Sequence, residues 1–337
     1  MDENSIAENE ITNENVNFET RINLTPLLEH VNAIKKEIET VIVGQHKMVD
    51  QLLVAILSNG HVLLEGVPGV AKTITAKLLA KTVNIDFSRI QFTPDLMPSD
   101  ILGTSIFNLK SSEFEFKKGP IFSNLILIDE INRAPAKTQA ALFEVMEERQ
   151  ITIDGSAYQL DAPFLVIATQ NPIEQEGTYR LPEAQLDRFL FKIAVDYPKL
   201  NEEILIIQRE HLLENHGKLE AIKCVLSALE IKQYQALIKQ IRVEQNLLEY
   251  IARIVVNTRE NAFLYLGASP RASIAILNAA KGFAAIRGRD FVTPEDIKEA
   301  AIPVLQHRVI VAPEREMEGI TSSEIIKQII ETVEIPR

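Results

Sequence analysis

Thiol chemistry is nearly missing from this 337-residue chain: Cys224 is its only cysteine. One thiol cannot close an internal disulfide, which excludes a disulfide-stapled scaffold and points to a reducing compartment. Cys224 stands beside Val225 and Leu226, where a small buried hydrophobe is expected. Metal-ligand spacing is missing too. His30, His46, His61, His211, His216 and His307 fall into no HxxxH or HExxH pattern, which argues against a protein metal cage. No apolar stretch approaches the roughly 20 residues that span a bilayer. No basic segment followed by an apolar one opens the chain, so no signal peptide is expected and the default expectation is a cytoplasmic protein. Positive charge is in deficit. Lys and Arg number 35 against 47 Asp and Glu, a net charge of -12, which disfavours generic binding to phosphate backbones.

Apolar residues make up 46% of the chain, enough for sizeable cores. They are unevenly spread. Residues 1–20 hold six acids, five asparagines and no base, and read as a disordered acidic tail that cannot bury enough surface to order itself. Residues 21–198 then read as an α/β domain. Leu27, Leu28, Val31, Ile34 and Ile38 recur at helical spacing, and a second helix is expected over 46–58. Strands are expected at 61–65, 87–92, 125–129, 164–169 and 191–195, with helices at 73–83 and 138–148. Near-continuous apolar strands separated by helices imply a parallel sheet covered on both faces. Two hairpin inserts interrupt the pattern, one over 105–118 and one over 151–160. From 199 to 337 the pattern is helical only, a second, all-α domain. Its helix starts are marked by Thr293-Pro294-Glu295-Asp296, Thr321-Ser322-Ser323-Glu324 and Ser269-Pro270, the last of which places Arg271 in a first helical turn.

The strongest chemical signal is Gly66-Val67-Pro68-Gly69-Val70-Ala71-Lys72-Thr73, a glycine-containing loop between an expected strand and an expected helix. Such a loop lets backbone N–H groups curl around phosphate oxygens at a helix N-terminus. Lys72 would reach the β and γ phosphates and Thr73 would hold magnesium. The common pattern has glycine where Ala71 stands; right-handed helical geometry at Ala71 is the expectation. Leu125-Ile126-Leu127-Ile128 runs into Asp129 and Glu130, placing two acids at the carboxyl end of a buried strand. Asp129 would orient magnesium and Glu130 would polarise the attacking water. Val166-Ile167-Ala168-Thr169-Gln170-Asn171-Pro172 ends a strand in polar residues, which offers Asn171 to the γ-phosphate. Arg188 precedes the last strand, where it could face a neighbouring subunit's γ-phosphate.

Gly66–Thr73, Ile128–Ala134, Ala168–Pro172, Glu183–Phe189 and Gly267–Ala272 together resemble, in the same order, the motif set of MoxR-type AAA+ ATPases, and the resemblance covers about 24–335. In that family alanine at the position of Ala71 is typical. The resemblance implies Walker A roles for Lys72 and Thr73, Walker B roles for Asp129 and Glu130, sensor 1 for Asn171 and a trans arginine finger for Arg188. It implies sensor 2 for Arg271, reaching the γ-phosphate from the lid of the same subunit, and an adenine-lining segment at Val43, Gly44 and Gln45. The implied cofactors are ATP and Mg2+. The implied assembly is a homo-oligomeric ring, typically a hexamer, working as a chaperone-like assembly or metal-insertion factor with proteins carrying a von Willebrand factor A domain. The hairpins are implied to face the pore or the substrate.

Two other readings compete. A nucleic-acid motor or transcription activator would share the P-loop and the inserts. Against it stand the acidic charge and the lack of a Gly-Ala-Phe-Thr-Gly-Ala loop, a helix-turn-helix or a zinc module. A nucleotide switch that barely turns over is opposed by the intact Glu130.

Overall fold

The computed structural model describes residues 22–335 apart from 111, 173–178, 180 and 213–220; the expected acidic tail lies outside the described residues. Five strands form one parallel sheet: β1 (His61–Glu65), β2 (Phe87–Gln91), β5 (Leu125–Asp129), β8 (Leu165–Gln170) and β9 (Phe189–Ala194), in the order β2-β5-β8-β1-β9. Alternation along each strand shows why they read as unbroken apolar runs. Leu125, Leu127, Leu165 and Ile167 point into one core, and Ile126, Ile128, Val166 and Ala168 into another.

The second core is closed by α4 (Pro98–Leu102) and α5 (Ala136–Glu148), which contribute Ile101, Leu142, Phe143, Val145 and Met146. The first core is closed by α1 (Thr25–Glu39), α2 (His46–Leu57) and α3 (Lys72–Thr82). On α1, Leu27, Val31, Ile34 and Ile38 are buried at the spacing read from the sequence. Helix α2 is buried nearly all round, because it lies between the sheet and the C-terminal helices.

Those helices follow α6 (Glu183–Leu186) and α7 (Leu200–His211). They are α8 (Ala228–Lys239), α9 (Gln245–Glu260), α10 (Pro270–Ile286), α11 (Pro294–Leu305), α12 (Pro313–Met317) and α13 (Ser322–Thr332). Helix α10 approaches α2 closely at Gly282, where an added Cβ would stand 2.7 Å from Val54 Cγ1. The hydrophobic core therefore continues across residue 198, although strands give way to helices there.

Two inserts project from the sheet. β3 (Gly103–Asn108) pairs antiparallel with β4 (Glu113–Lys118), and β6 (Gln150–Ile153) with β7 (Ser156–Gln159). They touch each other: Ser105 Oγ donates to Asp154 at 2.5 Å, and the Phe116 and Tyr158 rings lie 4.5 Å apart. At the far end of the first hairpin, Leu109 and Phe114 are exposed.

Three expectations need correction. The C-terminal region is not helices only, since β10 (Leu264–Leu266) pairs with β11 (Ile310–Val311). These strands are two and three residues long, too short for a periodic signal. Cys224 is exposed rather than buried, its Sγ–H reaching Leu226 O at 3.3 Å. Val225 and Leu226 pack against the core, but Cys224 lies outside any helix or strand, so its apolar neighbours do not fix which way its side chain points. Ser269 stands at the N-cap of α10 with Pro270 after it, as expected, but its side chain makes no capping hydrogen bond; its hydroxyl lies 3.5 Å from Asp187 Oδ2 instead. Thr293 and Thr321 do form capping boxes, with Asp296 and Glu324. No helix among the described residues is long and apolar enough to cross a membrane.

Candidate nucleotide site

The loop from Gly66 to Ala71 leaves the carboxyl end of β1 and opens α3. Its glycines answer local demands. A Cβ at Gly66 would stand 2.7 Å from Val195 O, so the loop could not pass that strand with a larger residue. Gly69 has φ +90° and open space around it, which leaves its backbone free to face a ligand. Ala71 has φ 62° and ψ 16°, a left-handed conformation, which overturns the expectation of right-handed geometry. The turn into α3 requires that conformation of whichever residue stands there, and an alanine is strained in it by about 1–2 kcal/mol. Val70 is buried in the core and anchors the loop, with Val67 packed beside it.

A cleft of about 400 Å³ lies over this turn, within the range of small-molecule sites. Pro68, Gly69, Ala71, Lys72, Thr73, Asp129, Glu130 and Asn171 line it, so the structure brings these sequence-derived site residues together. Lys72 Nζ donates to Gly66 O at 2.5 Å. Burial lowers its pKa, and Asp129, Glu130 and Glu65 pull in the opposite direction. The first N–H groups of α3 have no helical acceptors and face the same space.

Both acids are held firmly. Asp129 is nearly buried; its Oδ1 lies 3.3 Å from Thr169 Oγ1 and its Oδ2 accepts from Arg89 Nε at 2.6 Å. Glu130 takes a left-handed φ of 58°, and its N–H donates to Thr169 Oγ1 at 3.0 Å. Its Oε2 lies 3.1 Å from Gln91 Nε2 and 3.1 Å from Arg133 Nε. A carboxylate and a hydroxyl, Asp129 and Thr73, on the wall of a cleft that also holds Lys72 are the hard oxygen donors that a phosphate-bound divalent cation takes. The residues present thus fit magnesium.

Arg89, Gln91, Ile74 and Thr169 also line the cleft and were not singled out from sequence. A signal for two of them was there: Arg89 and Gln91 are two apart on one strand and so share a face. That β2 lies beside β5 needed the sheet order.

Arg188 and Arg271 do not line the cleft. The parallel register pairs His61 with Phe189 and Glu65 with Ala194. Arg188 therefore stands at the N-terminal edge of the sheet, while the phosphate loop opens from the opposite edge. Five strand residues at about 3.3 Å each separate the two levels by roughly 16 Å, more than one side chain can span. Arg188 Nη1 contacts Glu147 Oε2 at 2.6 Å and Phe143 O at 2.5 Å, and its buried Nε has no partner among the described residues. Arg271, in the first turn of α10, reaches the other oxygen of Glu147 at 3.2 Å. Arg271, expected to serve the cleft of its own subunit, stands here on Glu147. The C-terminal helices pack across α2 and deliver it to the edge that carries Arg188. Glu147, which joins the two arginines, went unnoticed because it is one acid in a helix rich in them.

Val43, Gly44 and Gln45 do not line the cleft either. Gly44 and Gln45 are both left-handed ahead of α2, and Gln45 Nε2 donates to Asp196 O at 3.0 Å, one residue beyond the Val195 that abuts Gly66.

Comparisons with known proteins identify the family. The ATPase family associated with various cellular activities (AAA) matches residues 61–191, and the AAA lid domain matches residues 256–329. The chain is 46% identical over 317 residues to YeaC of Bacillus subtilis, covering 93% of this chain and 96% of that one. It is 45% identical over 310 residues to the chaperone MoxR1 of Mycobacterium tuberculosis, covering 89% and 81%. A solved ATPase structure from Cytophaga hutchinsonii superposes with a TM-score of 0.84 at 45% identity, over 93% of this chain and 97% of that one. With an AAA match, an AAA lid match and relatives 45–46% identical over most of its length, the chain belongs to the MoxR family of AAA+ ATPases.

Proposed function

We propose that this ATPase works as a ring, most simply a hexamer, in which each ATP lies between two subunits and is hydrolysed to remodel or assemble protein partners. One observation carries the ring: the phosphate loop and the pair Arg188–Arg271 stand at opposite edges of one sheet. A subunit acting alone would then offer Lys72, Glu130 and Asn171 to its nucleotide and lack the arginines. A head-to-tail contact between subunits completes the site, and such a contact closes a ring.

Within the cleft, Lys72 donates to the β and γ phosphate oxygens, and the first N–H groups of α3 hold the phosphates by their positive end. Glu130 accepts the proton of the water that attacks the γ-phosphorus, and Asn171 orients that water or the γ-phosphate. Magnesium, when bound at Thr73 and Asp129, supplies charge neutralisation between the phosphates. Arg188 and Arg271 of the neighbour donate to the oxygens on which negative charge builds. Val43, Gly44 and Gln45, joined to the phosphate loop through 195–196, bear on the adenine end.

The chaperone reading draws on the relative MoxR1. The exposed Leu109 and Phe114 at the end of the first hairpin suit contact with a protein client. A partner carrying a von Willebrand factor A domain, and metal insertion as the outcome, follow from the family resemblance.

Phosphate release against protein concentration tests this, with Glu130→Gln and Arg188→Ala chains measured alone and mixed. Each variant alone should be nearly inactive, and mixing should restore turnover where an intact cleft meets intact arginines. A rate per subunit that is flat with concentration, together with no recovery on mixing, would refute the shared site.

A further inference from the structure

The Arg89–Asp129 pair stands within the nucleotide cleft itself. Arg89 lies on the edge strand β2, with its side chain 55% exposed, whereas that of Asp129 is only 10% exposed. Its Nε donates to Asp129 Oδ2 at 2.6 Å, and the other carboxylate oxygen faces Thr169 Oγ1 at 3.3 Å. One oxygen of the carboxylate that would face a divalent cation thus already meets a positive charge, while the other meets only a neutral hydroxyl. Two cations cannot share one carboxylate oxygen at hydrogen-bond distance without strong repulsion.

We propose that Arg89 is an intramolecular competitor for magnesium: its guanidinium and the metal compete for the Asp129 carboxylate, and the ion pair loosens when the metal engages it. The proposal rests on the reading of this cleft as a Mg·nucleotide site. Arg89 has somewhere to go. It lines the same cleft as Lys72, so phosphate oxygens entering there give the released guanidinium a new anion, which arginine binds well. Metal alone would have to displace Arg89 with no such compensation, whereas metal arriving with phosphates would not. Arg89 therefore makes magnesium and nucleotide bind as a unit, a positive coupling between two ligands of one site. It also keeps Asp129 oriented while the site waits. Because the arginine is half-exposed, the latch is weak enough to open. Arg89 acts through Asp129 and is a positioning residue.

The test is a thermal-shift titration of Mg2+ at fixed ADP, and of Mg2+ without nucleotide, on the full chain and on Arg89→Gln and Arg89→Lys. ADP avoids turnover, so the readout is binding alone. For Arg89→Gln, the Mg2+ midpoint without nucleotide should fall by about two- to fivefold, the change that a partly exposed ion pair carries, while the midpoint at fixed ADP moves less because the variant also loses the contact to phosphate. The gap between its midpoints with and without ADP should narrow, and Arg89→Lys should stay near the native value. The melting temperature without ligand shows that the variants fold. An unchanged midpoint without nucleotide in Arg89→Gln would overturn the latch while leaving the nucleotide site intact. A midpoint unchanged without ADP but raised with it would also overturn it and make Arg89 a phosphate ligand only. Absence of any Mg-dependent response to ADP in the native chain would instead defeat the nucleotide reading, and the latch with it.

Discussion

At the C-terminal edge of the sheet each carboxylate has its own guanidinium: Arg89 on Asp129 and Arg133 on Glu130. At the N-terminal edge two guanidiniums, Arg188 and Arg271, share the single carboxylate of Glu147. The cleft at the first edge also holds Lys72, so with Arg89 and Arg133 three cations stand there against two carboxylates, which suits it to an anion. At the second edge the buried Nε of Arg188 has no partner among the described residues. One edge thus presents a cationic cleft and the other two arginines on a shared carboxylate, a strand's length apart.

The largest expected effect comes from attacking the N-terminal edge. Arg188→Ala should lower turnover by about 10³-fold or more, the scale of an arginine finger. ATP binding by thermal shift should hold, because Arg188 is no part of its own cleft. Loss of binding as well as turnover would break the comparison and make Arg188 a support of its own subunit's site.

A second perturbation uses acid. His61 begins β1 at the same N-terminal edge, where its Nε2 lies 3.2 Å from Met146 O and its Nδ1 accepts from Val166 N at 3.0 Å. Burial, and then the charge of Arg149, lower its pKa to about 3. Its folded pKa lies below the unfolded value near 6.5, so the unfolded chain binds the proton first. Stability is full above about pH 6.5 and is lost as pH falls through the window down to about 3, at about 1.4 kcal/mol per pH unit for this one group. His307, also buried and shifted downward, steepens the slope. Urea unfolding between pH 7 and 5 checks this. His61→Gln should flatten the dependence, and an equal slope in that variant would put the titration elsewhere.

The smallest effect belongs to the C-terminal edge. Ala71→Gly relieves a left-handed alanine while adding freedom to the unfolded chain. The balance should stabilise the fold by about 0.5 kcal/mol, read as a small rise in the urea midpoint. A fall would show that the turn tolerates alanine without strain.

Much of this architecture was legible in the residues. The phosphate loop, the Asp129–Glu130 strand end and both hairpins are local patterns, set by a handful of adjacent residues whose chemistry does not depend on distant contacts. The apolar strands were legible for a related reason: a strand buried on both faces has no polar side to blur it. Arg89, Gln91 and Glu147 were not legible, because an arginine on an edge strand or a glutamate on a helix looks the same whether it faces solvent or a site.

Local residue patterns are enough to set the kind of chemistry: a glycine-containing turn suited to phosphate, two acids beside it and a lid. Which residues meet is settled by the fold. Parallel pairing of β9 with β1 puts Arg188 a strand's length from the phosphate loop. Packing of α10 against α2 brings Arg271 to the same edge, and adjacency of β2 to β5 lays Arg89 on Asp129. These distances depend on strand order and helix docking, which join residues far apart in the chain, and local patterns carry no record of them.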